Sequence, residues 1–233
     1  MKLKGAVALV TGANRGLGKA FTQALLSAGV KKVYGGARDP KSISVPGVIP
    51  VQLDVTKPEQ VQAAAKALGD VNLVINNAGI FPGSTLASED FFALARESME
   101  TNYFGCVAVT KAFAPILAAN GGGALVNVLS VAAWTSVPGY LPYGPSKAAA
   151  LMFTTAIREE LKAQGTQVTA ILAGPIDTEM VADLDLPIPK TNPDTLARIV
   201  VEGIEAGKQE ILTDDFAKMI KGQLGVELPL FGK

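Results

Sequence analysis

Apolar, β-rich runs recur along the chain at Ala6–Val10, Lys32–Tyr34, Val48–Leu53, Leu73–Ile75, Ala124–Leu129 and Val168–Leu172. Short apolar runs separated by helix-length segments are the pattern of parallel strands joined by crossover helices. The intervening stretches Leu17–Ala28, Pro58–Leu68 and Ser88–Ala118 carry helix formers and end near glycine or asparagine, which supports that reading. The alternation predicts one α/β domain over residues 1–233, built on a doubly wound parallel sheet with right-handed crossovers and helices on both faces. Gly121-Gly122-Gly123 reads as a flexible turn before a strand, and Leu184–Asn192, with Pro187 and Pro189, as an irregular surface loop beside the site.

Composition narrows the class. At 233 residues the chain suits a single core, and 48% hydrophobic against 18% charged residues is enough apolar material to cover a sheet on both faces. Lys and Arg number 21, as do Asp and Glu, so no broad basic field favours nucleic acid or an anionic membrane. Ala6–Val10 is too short for a signal-peptide core, and no run approaches a transmembrane helix. Cys106 is the sole cysteine, so no intrachain disulfide can form. With no targeting signal, a cytoplasmic location is expected, and Cys106 reads as a small buried hydrophobe. The sequence has no histidine, which excludes the usual zinc sites and every Ser/His or Cys/His nucleophile. No metal is expected, and proton chemistry falls to Tyr, Lys, Asp or Glu.

Directly after the first strand stands Thr11-Gly12-Ala13-Asn14-Arg15-Gly16-Leu17-Gly18, leading into a helix. Glycines there permit a tight turn and close approach of a phosphate to backbone N–H groups, and a helix N-terminus favours negative charge. The Gly-x-x-x-Gly-x-Gly spacing is weak alone and gains weight from its strand–loop–helix setting. Asp54, with Val55, ends the third strand, where Asp54 either accepts from an adenine or serves a cap or turn. After the second strand come Arg38 and Asp39. Arg38, joined by Arg15, suits a 2′-phosphate and so NADP, unless Asp39 takes a ribose hydroxyl or neutralises Arg38.

Tyr143 and Lys147 precede and enter a helix-forming stretch, Ala148–Lys162, so at i and i+4 they share a helical face. An adjacent ammonium favours the phenolate of a tyrosine whose ordinary pKa is ~10, turning a poor base into a usable one. Ser130, at the end of a strand and thirteen residues before Tyr143, is either an ordinary strand-end residue or the hydroxyl that holds a substrate oxygen.

These motifs, with Asn76-Asn77-Ala78-Gly79, Thr101-Asn102 and Ala173-Gly174-Pro175-Ile176-Asp177-Thr178, make the chain resemble the short-chain dehydrogenase/reductase family from Gly5 to about Thr178. The resemblance implies a Rossmann-type fold with Tyr143 as general acid/base, Ser130 positioning a carbonyl, and Lys147 holding the nicotinamide ribose while lowering the Tyr143 pKa. It implies that Asn102 supports a water-linked proton relay to Lys147, whereas from spacing alone Asn102 equally reads as a kink in a long helix near Gly105. Asn76 and Gly79, otherwise a turn with Ala78, would lie near adenosine, and Ile176 and Thr178 against the carboxamide.

Two segments depart from the family pattern. Its usual Pro-Gly after the sixth strand is Ala173-Gly174-Pro175 here, and the C-terminal stretch Gln209–Leu224 lacks the common glycine-rich ending. The expected activity is NADP(H)-dependent reduction of a ketone or aldehyde. The rival reading is a non-catalytic NADP sensor of the same fold, whose hallmark would be loss of Tyr143 or Lys147. A sugar-nucleotide epimerase or dehydratase would resemble a longer chain. Phe81, Trp134, Val137, Tyr140, Leu141, Met180 and Leu184 are candidate walls for an apolar substrate, with a short substrate loop near 179–192. Ala148, Ala149, Met152, Phe153 and Ile157 suit the core or a helix-pair interface, and the resemblance implies a homodimer or homotetramer.

Overall fold

The computed structural model describes residues 1–182 and 188–224. Its strands are β1 (Val7–Thr11), β2 (Lys32–Ala37), β3 (Val48–Gln52), β4 (Leu73–Asn76), β5 (Gly123–Ser130), β6 (Thr166–Ala173) and β7 (Glu210–Leu212). All pair in parallel in the order β3-β2-β1-β4-β5-β6-β7. The chain winds outward from β1 to β3, then returns to the other side of β1 and winds outward again. The reversal between β1 and β4 opens a crevice beyond the strands' carboxyl ends.

Successive strand residues point to opposite faces, and here both faces are apolar, which is why the strands read as unbroken apolar runs. Ala8, Val10, Leu73 and Ile75 pack on one side with Phe21 and Leu25 of α1 (Gly16–Ser27) and Leu196 and Val200 of α6 (Pro193–Glu205). Leu9, Val74 and Leu125 pack on the other with Val61 of α2 (Pro58–Ala67), Phe113 and Leu117 of α4 (Gly105–Ala119) and Ile157 of α5 (Tyr143–Lys162). Of the remaining apolar positions on α5, Met152 is exposed and Phe153 packs partly against this second layer.

Three expectations need correction. The helix expected over Ser88–Ala118 starts at α3 (Phe91–Met99) and passes through a π-helical turn, Glu100–Phe104, before α4. Together Phe91–Ala119 forms a helical stretch long and apolar enough, by length and composition, to cross a membrane, contrary to the reading that no run approaches one. Its apolarity is accounted for by the core, where Val109, Phe113 and Leu117 are fully buried. The Gly121-Gly122-Gly123 turn leads into β5, with Gly121 and Gly122 N–H groups donating to Ala118 and Leu117 carbonyls at 3.1 and 2.8 Å. β7 was not among the expected strands; it is three residues long and buries only Ile211, too little for an apolar-run signal.

Candidate active site

β1 delivers the chain into the glycine loop at the crevice. Gly12 has φ +65° and Gly18 has no room for a side chain, since a Cβ there would sit 2.0 Å from the Gly12 carbonyl oxygen. That close approach brings the start of α1 hard against the end of β1. Asn77 pins the arrangement from the neighbouring strand: its Nδ2 donates to the Thr11 and Gly12 carbonyls at 2.9 and 3.2 Å, and the Thr11 hydroxyl accepts from the Asn77 and Ala78 N–H groups, each at 3.0 Å. At the N-terminus of α1 the cap residue Arg15 provides no side-chain acceptor. The loop therefore aims unsatisfied N–H groups and the positive end of a helix dipole at the crevice, a fit for a phosphate.

The crevice is a cleft of about 970 Å³. It is lined at one end by the expected Gly12, Asn14, Arg15, Gly16, Leu17 and Gly18, with Arg38, Asp54, Val55, Ala78 and Gly79 along its wall. Arg38 follows β2 and is exposed. Among the described residues neither Arg38 nor Arg15 forms an ion pair. Asp39 instead caps a short 3-10 turn, accepting from the Lys41 N–H at 3.0 Å, so it does not neutralise Arg38. Asp54 serves the turn: its Oδ1 accepts from the Thr56 N–H and hydroxyl at 3.0 and 2.7 Å, and the residue also lines the cleft.

Ser130, Tyr143 and Lys147 line the same cleft, as do Ile176 and Thr178. Tyr143 is the first residue of α5, and Pro145 sits within its first turn, where a missing N–H costs little. Lys147 lies one turn on, its Nζ donating to the Val128 carbonyl at 2.9 Å and standing 5.7 Å from the centre of the Tyr143 ring. Burial pushes the Tyr143 phenol up to about 12, only partly offset by the Ser130 hydroxyl. Burial also pushes the Lys147 ammonium down to about 8. The net direction at Tyr143 is set by burial and runs opposite to the lowering expected from Lys147.

Asn102 occupies the π-helical turn. Its Oδ1 accepts from the Ile80 N–H at 2.8 Å and its Nδ2 donates to the Ile80 carbonyl and the Ser146 hydroxyl at 3.0 and 2.9 Å. Ser146 in turn donates to the Tyr143 carbonyl at 2.7 Å. Asn102 therefore braces the loop after β4 against the start of α5 rather than lining the main cleft. Behind Lys147 lies a separate cavity of about 10 Å³, walled by Asn76, Asn102 and Cys106 among others, with room for about one water. Asn76 is the clearest displacement from expectation: buried, donating to Thr110 and Asn127 at 3.2 and 2.9 Å, it stitches β4 to α4 and β5 and does not reach the cleft. Cys106 is half-buried rather than the buried hydrophobe expected, and desolvation raises its thiol to about 12.

Of the candidate substrate walls, Phe81, Val137 and Met180 line the cleft. Tyr140 stacks on Phe81 at 4.1 Å between ring centres, and Phe81 meets Tyr143 edge-on at 4.5 Å, so Tyr140 braces the wall from behind. Trp134 and Leu141 do not line it, and Leu184 lies outside the described residues. The 179–192 loop is closed at its base by the Asp177 and Thr191 N–H groups, donating to the Thr191 and Pro175 carbonyls at 2.9 and 2.8 Å. Sequence reasoning missed Asn77, whose signal was its place in an already quoted motif, and Phe216, for which no local signal existed.

Known proteins place this geometry in context. A family model described as short chain dehydrogenase matches residues 6–187. A solved short chain dehydrogenase from Burkholderia cenocepacia, in complex with NADP, superposes with a TM-score of 0.91 at 41% identity, covering 97% of this chain and 95% of that one. A 3-oxoacyl-[acyl-carrier-protein] reductase of Synechocystis sp. is 33% identical over 93% of each chain. The human 17-beta-hydroxysteroid dehydrogenase type 2 is 37% identical over 76% of this chain, which spans 49% of that relative's length.

Proposed function

This chain belongs to the short-chain dehydrogenase family, and we propose that within it the protein reduces an uncharged, apolar ketone or aldehyde with NADPH. The observation that carries this reading is a single cleft running from an uncapped, glycine-lined helix N-terminus to Ser130, Tyr143 and Lys147. When bound, a reduced nicotinamide supplies the hydride. The chain's own residues handle the proton. With its pKa raised to about 12, Tyr143 keeps its proton at neutral pH and donates it to the substrate oxygen as negative charge develops there. The Ser130 hydroxyl holds that oxygen against the phenol. Lys147, backed by the one-water cavity beside Asn102, provides the path by which the phenol regains a proton.

Substrate polarity is read from the apolar share of the lining. Phe81, Val131, Val137, Met180 and Phe216 line the cleft that holds Ser130, Tyr143 and Lys147, with Arg15, Arg38 and Lys57 contributed by the glycine loop and the segments after β2 and β3. The human relative's name, a hydroxysteroid dehydrogenase, supports an apolar substrate. The test is an NADPH-oxidation screen over ketones, aldehydes and quinones, with NADH alongside. Turnover of apolar carbonyls is expected, and failure across all three classes would favour the non-catalytic sensor.

NADP is the proposed cofactor because Arg38 and Arg15 face the cleft without a carboxylate partner among the described residues, and the NADP complex of the Burkholderia relative supports it. Arg38→Asp should lower the ratio of kcat/KM for NADPH over NADH by about 10-fold to 100-fold, the scale of one lost charge-assisted contact plus new repulsion. A ratio that stays put would remove Arg38 as the selector.

A further inference from the structure

The two segments that depart from the family pattern, Ala173-Gly174-Pro175 and the C-terminal stretch, meet in space. After β7 the chain forms α7 (Asp215–Gln223), capped by Asp214, whose Oδ1 accepts from the Ala217 N–H at 2.8 Å. Capping needs only that oxygen. The other, Oδ2, accepts from the Gly174 N–H at 2.8 Å, forty residues away in sequence, and from the Thr213 hydroxyl at 2.9 Å. A Cβ on Gly174 would lie 2.8 Å from Asp214 Oδ1 and 3.2 Å from the Phe216 ring, so the glycine leaves the space that α7 uses to dock. Toward its other end α7 is held by Lys221, which pairs with Glu210 and lies 5.7 Å from the centre of the Trp134 ring. The helix therefore straps the loop after β6 to the turn after β5, the two segments that flank Ser130 and Ile176, and its Phe216 ring lines the cleft.

We propose that α7, tethered through Asp214 to Gly174, is a wall of the substrate site, and that Phe216 limits the size of the carbonyl's larger substituent. This rests on the carbonyl-reductase reading above. Phe216 acts by shape, and Asp214 is a positioning residue that acts through it. An apolar wall discriminates by how much volume it leaves, so shortening the ring should admit larger groups without touching the proton chemistry.

The experiment compares wild type, Phe216→Ala, Phe216→Leu and Asp214→Asn with NADPH on acetone and on para-tert-butylacetophenone. Phe216→Ala should raise the ratio of kcat/KM for the bulky over the small ketone by about 10-fold or more, chiefly through KM, with Phe216→Leu intermediate. Asp214→Asn cannot accept from both N–H groups with one oxygen each. It should move the ratio in the same direction and shift the emission of Trp134, the only tryptophan, to longer wavelength. A ratio unchanged in both Phe216 variants overturns the size limit, and unmoved Trp134 emission in Asp214→Asn overturns the tether. Wild-type inertness toward both ketones, joined to failure of the wider ketone, aldehyde and quinone screen, would instead sink the carbonyl reading. The size limit is then read from binding, as quenching of Trp134 by the two ketones in the presence of NADP: a bulky-ketone preference gained by Phe216→Ala supports it, and none overturns it.

Discussion

Tyr143→Phe is expected to lower kcat/KM for carbonyl reduction by about 10²-fold to 10⁴-fold, the range for loss of a positioned general acid, with NADPH affinity nearly unchanged. The fold should tolerate the change. The bond Tyr143 receives from Ser146 goes to its backbone carbonyl, and the edge-on packing on Phe81 needs only the ring. Stability adds a second readout with a definite sign. The folded-state pKa is raised from 10 to about 12, so the native protein binds more protons than the unfolded chain between those values. The wild type should therefore lose stability as pH rises through that window, and the Phe variant should not show that part of the loss. Turnover equal to wild type, measured beside NADPH titration by fluorescence, would remove Tyr143 as the donor.

The arrangement of strands was legible because both faces of this sheet are covered, so its interior strands appear as plain apolar runs; β7, paired only to β6 at an edge, left no such run. The glycine loop and the Tyr143/Lys147 pair were legible because each is a local pattern, a turn that needs glycine and an i, i+4 spacing that puts two side chains on one helical face. What sequence could not supply was direction and distance across the fold. Asn76 and Asn77 are neighbours in one motif, yet strand alternation turns the first into the core and the second onto the glycine loop. The effect of burial on Tyr143 was not legible, because a neighbouring charge can be read from spacing whereas burial cannot. Phe216 was invisible for a related reason: it lines the cleft from a helix whose docking on Gly174, through Asp214, joins segments forty residues apart.

Lys147→Met carries the other large effect, and it should move activity and stability in opposite directions. The ammonium is buried at 6% exposure with one protein hydrogen bond, to the Val128 carbonyl, so the fold bears a desolvated charge. Its folded-state pKa is lowered from 10.5 to about 8. Between those values the unfolded chain binds more protons than the native one, so wild-type stability should rise with pH across that window, while below about 8 the native state carries the full penalty. At ~1.4 kcal/mol per pKa unit the penalty is on the order of 3 kcal/mol, and loss of the Val128 bond returns about 1 kcal/mol of it. The Met variant should thus be more stable than wild type at pH 7 by about 2 kcal/mol, with the gain fading toward pH 10.5, as read by urea unfolding at both pH values. Carbonyl reduction should fall by about 10²-fold to 10³-fold if, as proposed, Lys147 returns the proton to Tyr143. A Met variant that is less stable than wild type at pH 7 would mean that Lys147 is held for the fold. The opposite result makes it a residue kept at the fold's expense, as strain concentrated at a working site should be.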